Sequence, residues 1–420
     1  MTAETTTLAI ELFVGLVAAA GLVGWLIHRL ALPIPYTVAL VVLGIVAGVV
    51  LPVDVEVSPE IVLLVLLPGL VFEAALRIDI DDFRRTFGGV VLLAAPGVLV
   101  SAAIVAAVLA VATGLPLELG FVVGAMVAAT DPVAVVSTFK QLGSPRRLAT
   151  LIESESLFND GTALVVFTIA VQVVVGSVTP TGVVVSVVTI IVASTAIGLA
   201  VGWVASRLIA AVDDHLVELT LSVAAAYGTY IVADRLGQSG IIATVVAGLL
   251  IGNHARRVGM SERSLEALDT VWEFAAFLLT AVVFLLIGLA IGLGDVVSAL
   301  PWIAWGIVAI LVGRAVVVYV LLGGAARLVL RREHRRSLPI GWLHILFWGG
   351  LRGAVAIAMA LSLPVDFPQR ELLQATTFGI VLFTLLVQGT TIEWLIERTG
   401  VGADKPLPDE APREAESPAR

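Results

Sequence analysis

The chain has 420 residues, of which 59% are hydrophobic and only 14% charged, against roughly 25% charged in soluble domains. That balance excludes a water-soluble globular protein and a nucleic-acid-binding surface. The absence of cysteine excludes disulfides and thiol chemistry. The net charge of −9 is less informative than where the charges lie.

Apolar runs near 20 residues recur from end to end, which specifies a polytopic helical membrane protein. A membrane β-barrel would show alternating segments of about ten residues instead. Thirteen spans are expected, at 8–28, 35–52, 59–77, 87–112, 117–140, 147–176, 182–210, 215–234, 239–254, 268–293, 298–328, 338–363 and 372–397. The first has Glu4 and no Lys or Arg before it, so it reads as a retained span and not a signal peptide. Residues 399–420, rich in Pro, Glu, Arg and Ala, read as a disordered cytoplasmic tail.

Lys and Arg set the orientation. With the N-terminus outside, the cytoplasmic ends hold Arg29; Arg77, Arg84 and Arg85; Lys140, Arg146 and Arg147; Arg207; Arg256, Arg257 and Arg263; and Arg327, Arg331, Arg332, Arg335 and Arg336. The outer loops hold only Arg235 and Arg370, with the acidic Asp54–Glu56 segment. The expected location is the cell membrane, with the C-terminus cytoplasmic.

Two spans carry helix breakers half-way along. Span five contains Ala129-Thr130-Asp131-Pro132, and span twelve contains Gly349-Gly350-Leu351-Arg352-Gly353. Proline removes a backbone donor and clashes with the preceding turn, and closely spaced glycines weaken a helix. Spans five and twelve are seven apart, as expected for two inverted six-helix repeats, 1–6 and 8–13. Interrupted helices at matching places in inverted repeats mark a secondary transporter with its site near mid-membrane.

Asp131, Asp160 and Arg352 each lie about 20 Å from their own helix ends, at 1.5 Å per residue. On span six, Ser156 and Asp160 are four apart, as are Glu155 and Asn159, so the two pairs occupy adjoining strips of one face. A charged side chain at this depth costs roughly 2.5–3.5 kcal/mol on insertion scales, so each needs a partner or a function. A hydroxyl, a carboxylate and the carbonyls freed by Pro132 make an all-oxygen site, which small hard cations prefer. Asp160 is the expected exchanged carboxylate. Glu155 with Arg352 reads as a structural ion pair. Arg314 reads either as a second partner for Glu155 or as a packing charge.

Other features have bland readings. His344 reads as interfacial, with a tuning role in pH response as its alternative; His28, His215, His254 and His334 fall at span ends. Gly44/Gly48 and Gly248/Gly252 permit close helix contact, within or between subunits. Gly292-Leu293-Gly294-Asp295 matches the motif of an intramembrane aspartyl protease, but Asp295 falls in a loop after span ten.

A-T-D-P-V-A-V (129–135), E-S-L-F-N-D-G (155–161) and G-G-L-R-G-A-V-A-I-A (349–358), with F-E-A-A-L (72–76) upstream, resemble the signatures of sodium/proton antiporters of the NhaP and NHE type. The likeness covers essentially the whole membrane region. It implies that Thr130, Asp131, Ser156 and Asp160 surround a Na⁺ ion, that Asn159 supports the broken helix, and that Glu155 pairs with Arg352. Glu73 is implied to act through water on the cytoplasmic approach. It also implies a homodimer in the lipid bilayer. Its core would be 87–177 and 297–398, and its scaffold 1–86 and 178–296. The expected activity is Na⁺ or Li⁺ exchange for H⁺ without a cofactor. Asn159-Asp160, in place of the Asp-Asp of electrogenic relatives, implies one-for-one exchange. K⁺/H⁺ exchange is the near alternative. A channel lacks a selectivity filter here, and a hydrolase using Asp131 and Asp160 as a dyad is the distant alternative.

Overall fold

The computed structural model describes residues 3–30, 34–50, 59–143, 145–176, 180–255, 260–324 and 338–401. Among them there are helices and turns but no strand. The acidic Asp54–Glu56 segment, Arg256, Arg257, Arg327, Arg331, Arg332, Arg335, Arg336, His334 and the tail beyond residue 401 lie outside the described residues.

Each expected span has a helical counterpart. These are α1 (Ala3–Leu30), α2 (Tyr36–Val50), α3 (61–77), α4 (Ile80–Thr113), α5a (Leu117–Met126) with α5b (Val133–Leu142), α6 (Arg146–Val174) and α7 (Pro180–Ile209). They continue as α8 (His215–Arg235), α9 (240–255), α10 (Glu262–Ala290), α11 (Leu300–Leu322), α12a (Ile340–Trp348) with α12b (Ala354–Leu361), and α13 (Arg370–Thr399). Seven of the described helices are by themselves long and apolar enough to cross a membrane. The two broken spans fall below that length because each is split.

Helix starts follow capping chemistry. Asp79 caps α4 by accepting from the backbone N–H groups of Asp81, at 2.7 Å, and Asp82, at 3.2 Å. Asp214 accepts from Leu216 N at 2.9 Å at the start of α8. Such a side chain satisfies donors that the first helical turn leaves free. The Asp79 cap explains one difference from expectation: α4 begins near 80, not 87. The charged stretch 81–85 is a helical turn continuing the span, not a loop. Asp295 likewise sits in a short helix, Leu293–Ser298, where a loop was expected. The helices end on glycine where the chain must turn left-handed, as at Gly114 and Gly143, whose φ values are 75° and 69°.

Close packing uses the glycine pairs. Gly44 of α2 faces Gly288 of α10, where an added Cβ would lie 2.9 Å from Gly288 Cα. Gly248 of α9 abuts Ala75 and Phe72 of α3, and Gly252 abuts Leu76. These small-residue pairs therefore pack within one chain. In the same way α7 lies on α9 through Gly198 and Gly202. Around the broken span, α4 packs on α5a, α6 and α11, and α11 packs on α13.

Among the described residues, four stretches have π-helical turns: Ile61–Leu66, Ile251–Ala255, Val316–Leu322 and Thr384–Gln388. Nothing in composition foretells them. Two adjoin the broken crossing, one just after Arg314 and one starting at Thr384.

Gly288→Val should lower the unfolding temperature in detergent, at a cost of about 1–3 kcal/mol for overpacking a closed helix crossing. Gly228→Ala, where an added Cβ meets nothing within 4 Å, should not. A thermal unfolding series on the two purified variants checks this.

Candidate functional site

The two breaks meet. The α5a helix ends at Met126 and α5b starts at Val133, while α12a ends at Trp348 and α12b starts at Ala354. Between the halves, Asp131 N donates to Leu351 O at 2.8 Å. A backbone group left without a partner in an apolar medium costs several kcal/mol, and this bond joins one break to the other. Gly353 packs against the Asp131 side chain so closely that any Cβ there would collide with the carboxylate.

The half-helix ends are compensated by charge. Ala128 and Ala129 are in the break that follows α5a, and both carbonyls accept from Arg352 Nη1, at 3.0 and 3.2 Å. Asp131 stands at the start of α5b, and its Oδ1 accepts from Val133 N at 2.9 Å. A cation at a helix C-terminus and an anion at an N-terminus both oppose the helix dipole. Arg352 N in turn donates to Thr384 Oγ1 at 3.0 Å, at the head of the π-helical turn in α13.

On α6 the two strips face different spaces. Ser156 and Asp160 line a cavity of about 340 Å³ together with Thr130, Asp131, Pro132 and Gly353. The cavity extends past Tyr36 and Phe277, whose rings stack with centroids 5.2 Å apart, to Glu73, Arg77 and Glu273. Glu155 and Asn159 face a second space the size of a water molecule, beside Arg314 and Arg352. Thr130 ties the strips together. Its hydroxyl lies 2.9 Å from Ser156 Oγ and accepts from Asn159 Nδ2 at 2.6 Å, while its N–H donates to Asn159 Oδ1 at 3.2 Å. Asp160 Oδ1 is buried and accepts no hydrogen bond among the described residues. It interacts electrostatically with both Asp131 and Arg352.

Two expectations are corrected here. Glu155 does not pair with Arg352. It forms a bidentate ion pair with Arg314, Oε1 with Nη1 and Oε2 with Nη2, the latter at 2.9 Å. Arg314 Nε also donates to Leu346 O at 2.9 Å. Arg352 is the side chain drawn away, to the carbonyls of the α5 break. Nor are those carbonyls left open, as an all-oxygen site would have them: each accepts from Arg352. Beside the break, the side-chain oxygens that line the cavity include the Asp131 and Asp160 carboxylates and the Thr130 and Ser156 hydroxyls.

His344 meets Tyr319, with Nδ1 2.7 Å from the phenolic oxygen, and does not line either space. Asp295, in its short helix, does not line the cavity either. Thr384 and the Leu351 carbonyl were missed from sequence, since a lone threonine in an apolar helix and a backbone carbonyl carry no signal.

Arg314→Met should destabilise the protein by about 3–5 kcal/mol, because it leaves the Glu155 carboxylate buried and unpaired. Glu155→Leu combined with Arg314→Met should recover most of that loss. Unfolding temperatures of the single and double variants decide between this pairing and one with Arg352, under which the double variant would gain nothing over Arg314→Met.

Comparison with known proteins points the same way as this geometry. Residues 16–398 match the family described as "Sodium/hydrogen exchanger, transmembrane". The chain is 39% identical over 376 residues to the Na⁺/H⁺ antiporter ApNhaP of Aphanothece halophytica, covering 89% of this chain and 71% of that one. It is 38% identical over 357 residues to the Na⁺/H⁺ antiporter NhaP of Pseudomonas aeruginosa, covering 82% of each. Its fold matches that of the sodium proton antiporter MjNhaP1 from Methanocaldococcus jannaschii with a TM-score of 0.74 at 18% identity, over 95% of this chain and 100% of that one. With nearly every described span inside the match, both broken helices included, the chain belongs to the sodium/hydrogen exchanger family, whose members are membrane transporters and not enzymes.

Proposed function

We propose that this protein exchanges Na⁺, or Li⁺, for H⁺ across the cell membrane, one for one, with Asp160 binding cation and proton in turn. The observation that carries the proposal is the Asp160 carboxylate, with a buried oxygen that accepts no hydrogen bond among the described residues, at the inner end of a cavity shared with Asp131, Ser156 and Thr130. A polar group buried without a partner costs free energy, and a transported cation or proton removes that cost. Asp131 suits a supporting role, because its Oδ1 already holds the α5b terminus through Val133 N. Thr130 and Ser156 supply hydroxyl oxygens, and Asn159 fixes Thr130 from both its N–H and its hydroxyl.

The stoichiometry follows from charge. Asn159 is neutral and engaged with Thr130, so one carboxylate exchanges one positive charge in each direction. An empty, ionised Asp160 would carry its charge across an apolar barrier, which disfavours movement of the unloaded site. Exchange is then obligatory. The moving body in this reading is residues 87–177 with 297–398, shifting against a dimeric scaffold of 1–86 with 178–296. The cavity mouth at Arg77 lies on the side that the arginine-rich loops assign to the cytoplasm, so the conformation faces inward. The ions are substrates, and the proton gradient is the drive.

Purified protein in proteoliposomes, with a trapped pH dye, tests this directly. Na⁺ and Li⁺ should each dequench the dye, K⁺ should not, and Asp160→Asn should be silent. A K⁺/valinomycin clamp should leave the rate unchanged. Membrane current during turnover would contradict one-for-one exchange, and a response to K⁺ alone would move the substrate to K⁺. Ser156→Ala and Thr130→Val should each raise the half-saturating Na⁺ concentration about two- to tenfold, the scale of one lost polar contact.

A further inference from the structure

The mouth of the cavity is held by an arginine. The last turn of α3 carries Arg77, one turn beyond Glu73, and Arg77 Nε pairs with the Glu73 carboxylate. Its Nη2 lies 3.6 Å from Glu273 Oε2, on α10. Asp269, one turn before Glu273 on α10, acts on the same guanidinium. Glu73, Arg77 and Glu273 all line the cavity whose inner end is Asp160. Glu273 is 71% exposed, Arg77 34% and Glu73 15%, so the three side chains step inward from water.

Acidic side chains at a cavity mouth concentrate cations from solution. Here the acids are already engaged by a cation that the protein supplies. We propose that Arg77 is a tethered competitor for the transported cation, a residue that sets the concentration at which Na⁺ enters. This inference rests on the antiport reading given above. While Arg77 holds Glu73 and Glu273, its charge repels an entering cation and occupies the oxygens that would draw one in. When Na⁺ displaces it, the guanidinium swings into water at little cost, since a partly exposed ion pair is weak. A fully buried pair would close the mouth; this one grades it. Glu273 restrains the guanidinium from the far side and dilutes its effect on Glu73.

A structural role makes the opposite prediction. If Arg77 served only to tie α3 to α10, its loss would loosen the scaffold and lower the maximal rate, without lowering the Na⁺ concentration needed.

The test is Na⁺ titration of the full-length protein in proteoliposomes at one pH, comparing wild type with Arg77→Gln, Arg77→Lys and Glu273→Gln. Arg77→Gln should lower the half-saturating Na⁺ concentration about two- to fivefold, the change falling on that concentration and not on the maximal rate. Arg77→Lys, which keeps the charge, should stay near wild type. Glu273→Gln should shift the concentration upward. Added choline chloride should shrink all these differences, because salt screens exposed charges. An unchanged or raised half-saturating concentration in Arg77→Gln overturns the inference, as does a Glu273→Gln shift in the same direction as Arg77→Gln. If wild type moves no protons with Na⁺ or Li⁺, the antiport reading itself fails before any variant is compared, and this inference falls with it.

Discussion

The bond between Asp131 N and Leu351 O is the contact around which the site is arranged. A helix broken inside a membrane exposes peptide groups that hydrocarbon cannot satisfy. One break alone would be costly. Two breaks placed against each other share partners, backbone to backbone at 131 and 351, and side chain to backbone where Arg352 reaches Ala128 and Ala129. Gly353 has to lack a side chain because Asp131 takes the space its Cβ would fill. The consequence is that Asp131, Thr130 and Arg352 have little freedom, whereas Asp160, on the unbroken helix α6, lines the cavity with an oxygen that accepts no hydrogen bond among the described residues.

That contrast organises the charges. Five ionisable side chains lie in one small region, Glu155, Arg314, Arg352, Asp131 and Asp160, and the first four have hydrogen-bond partners. Arg314 is paired with Glu155 and bonded to Leu346 O. Arg352 caps the end of α5a, and Asp131 caps the start of α5b. Helix α6 works as a partition: Glu155 and Asn159 look towards the fixed network on one side, and Ser156 and Asp160 look into the cavity on the other. A shift of one position along α6 would put Glu155 and Asn159 where Ser156 and Asp160 stand.

Much of this was legible in the sequence, and the reasons are specific. Breakers such as Pro132 and the 349–353 glycines announce themselves, and an acid such as Asp160 inside an apolar run has to have a purpose. Spacing of four along a helix placed Ser156 with Asp160 and Glu155 with Asn159 without any coordinates. What spacing could not decide was which arginine meets Glu155. Arg314 and Arg352 are both deep and both positive, and the choice depends on how α11 and α12 lie around α6. Nor could it show that the carbonyls released at Pro132 would be claimed by Arg352, because a broken helix exposes acceptors without naming the donor. The π-helical turns and the helical start of α4 near 80 were hidden for the same reason: both are settled by tertiary contacts and caps, not by local pattern.

The arginine over Ala128 and Ala129 has a further effect on any ion at Asp160. With those carbonyls taken, the protein offers a small cation two carboxylates and two hydroxyls on one flank and an open cavity on the other. Under the proposed exchange, such an ion would shed only part of its hydration shell and keep water on the cavity side. Partial dehydration is a mild filter, since ions of different radius differ most when stripped completely. The protein would then choose among cations less by the fit of a cage than by how strongly each competes with a proton for the same carboxylate.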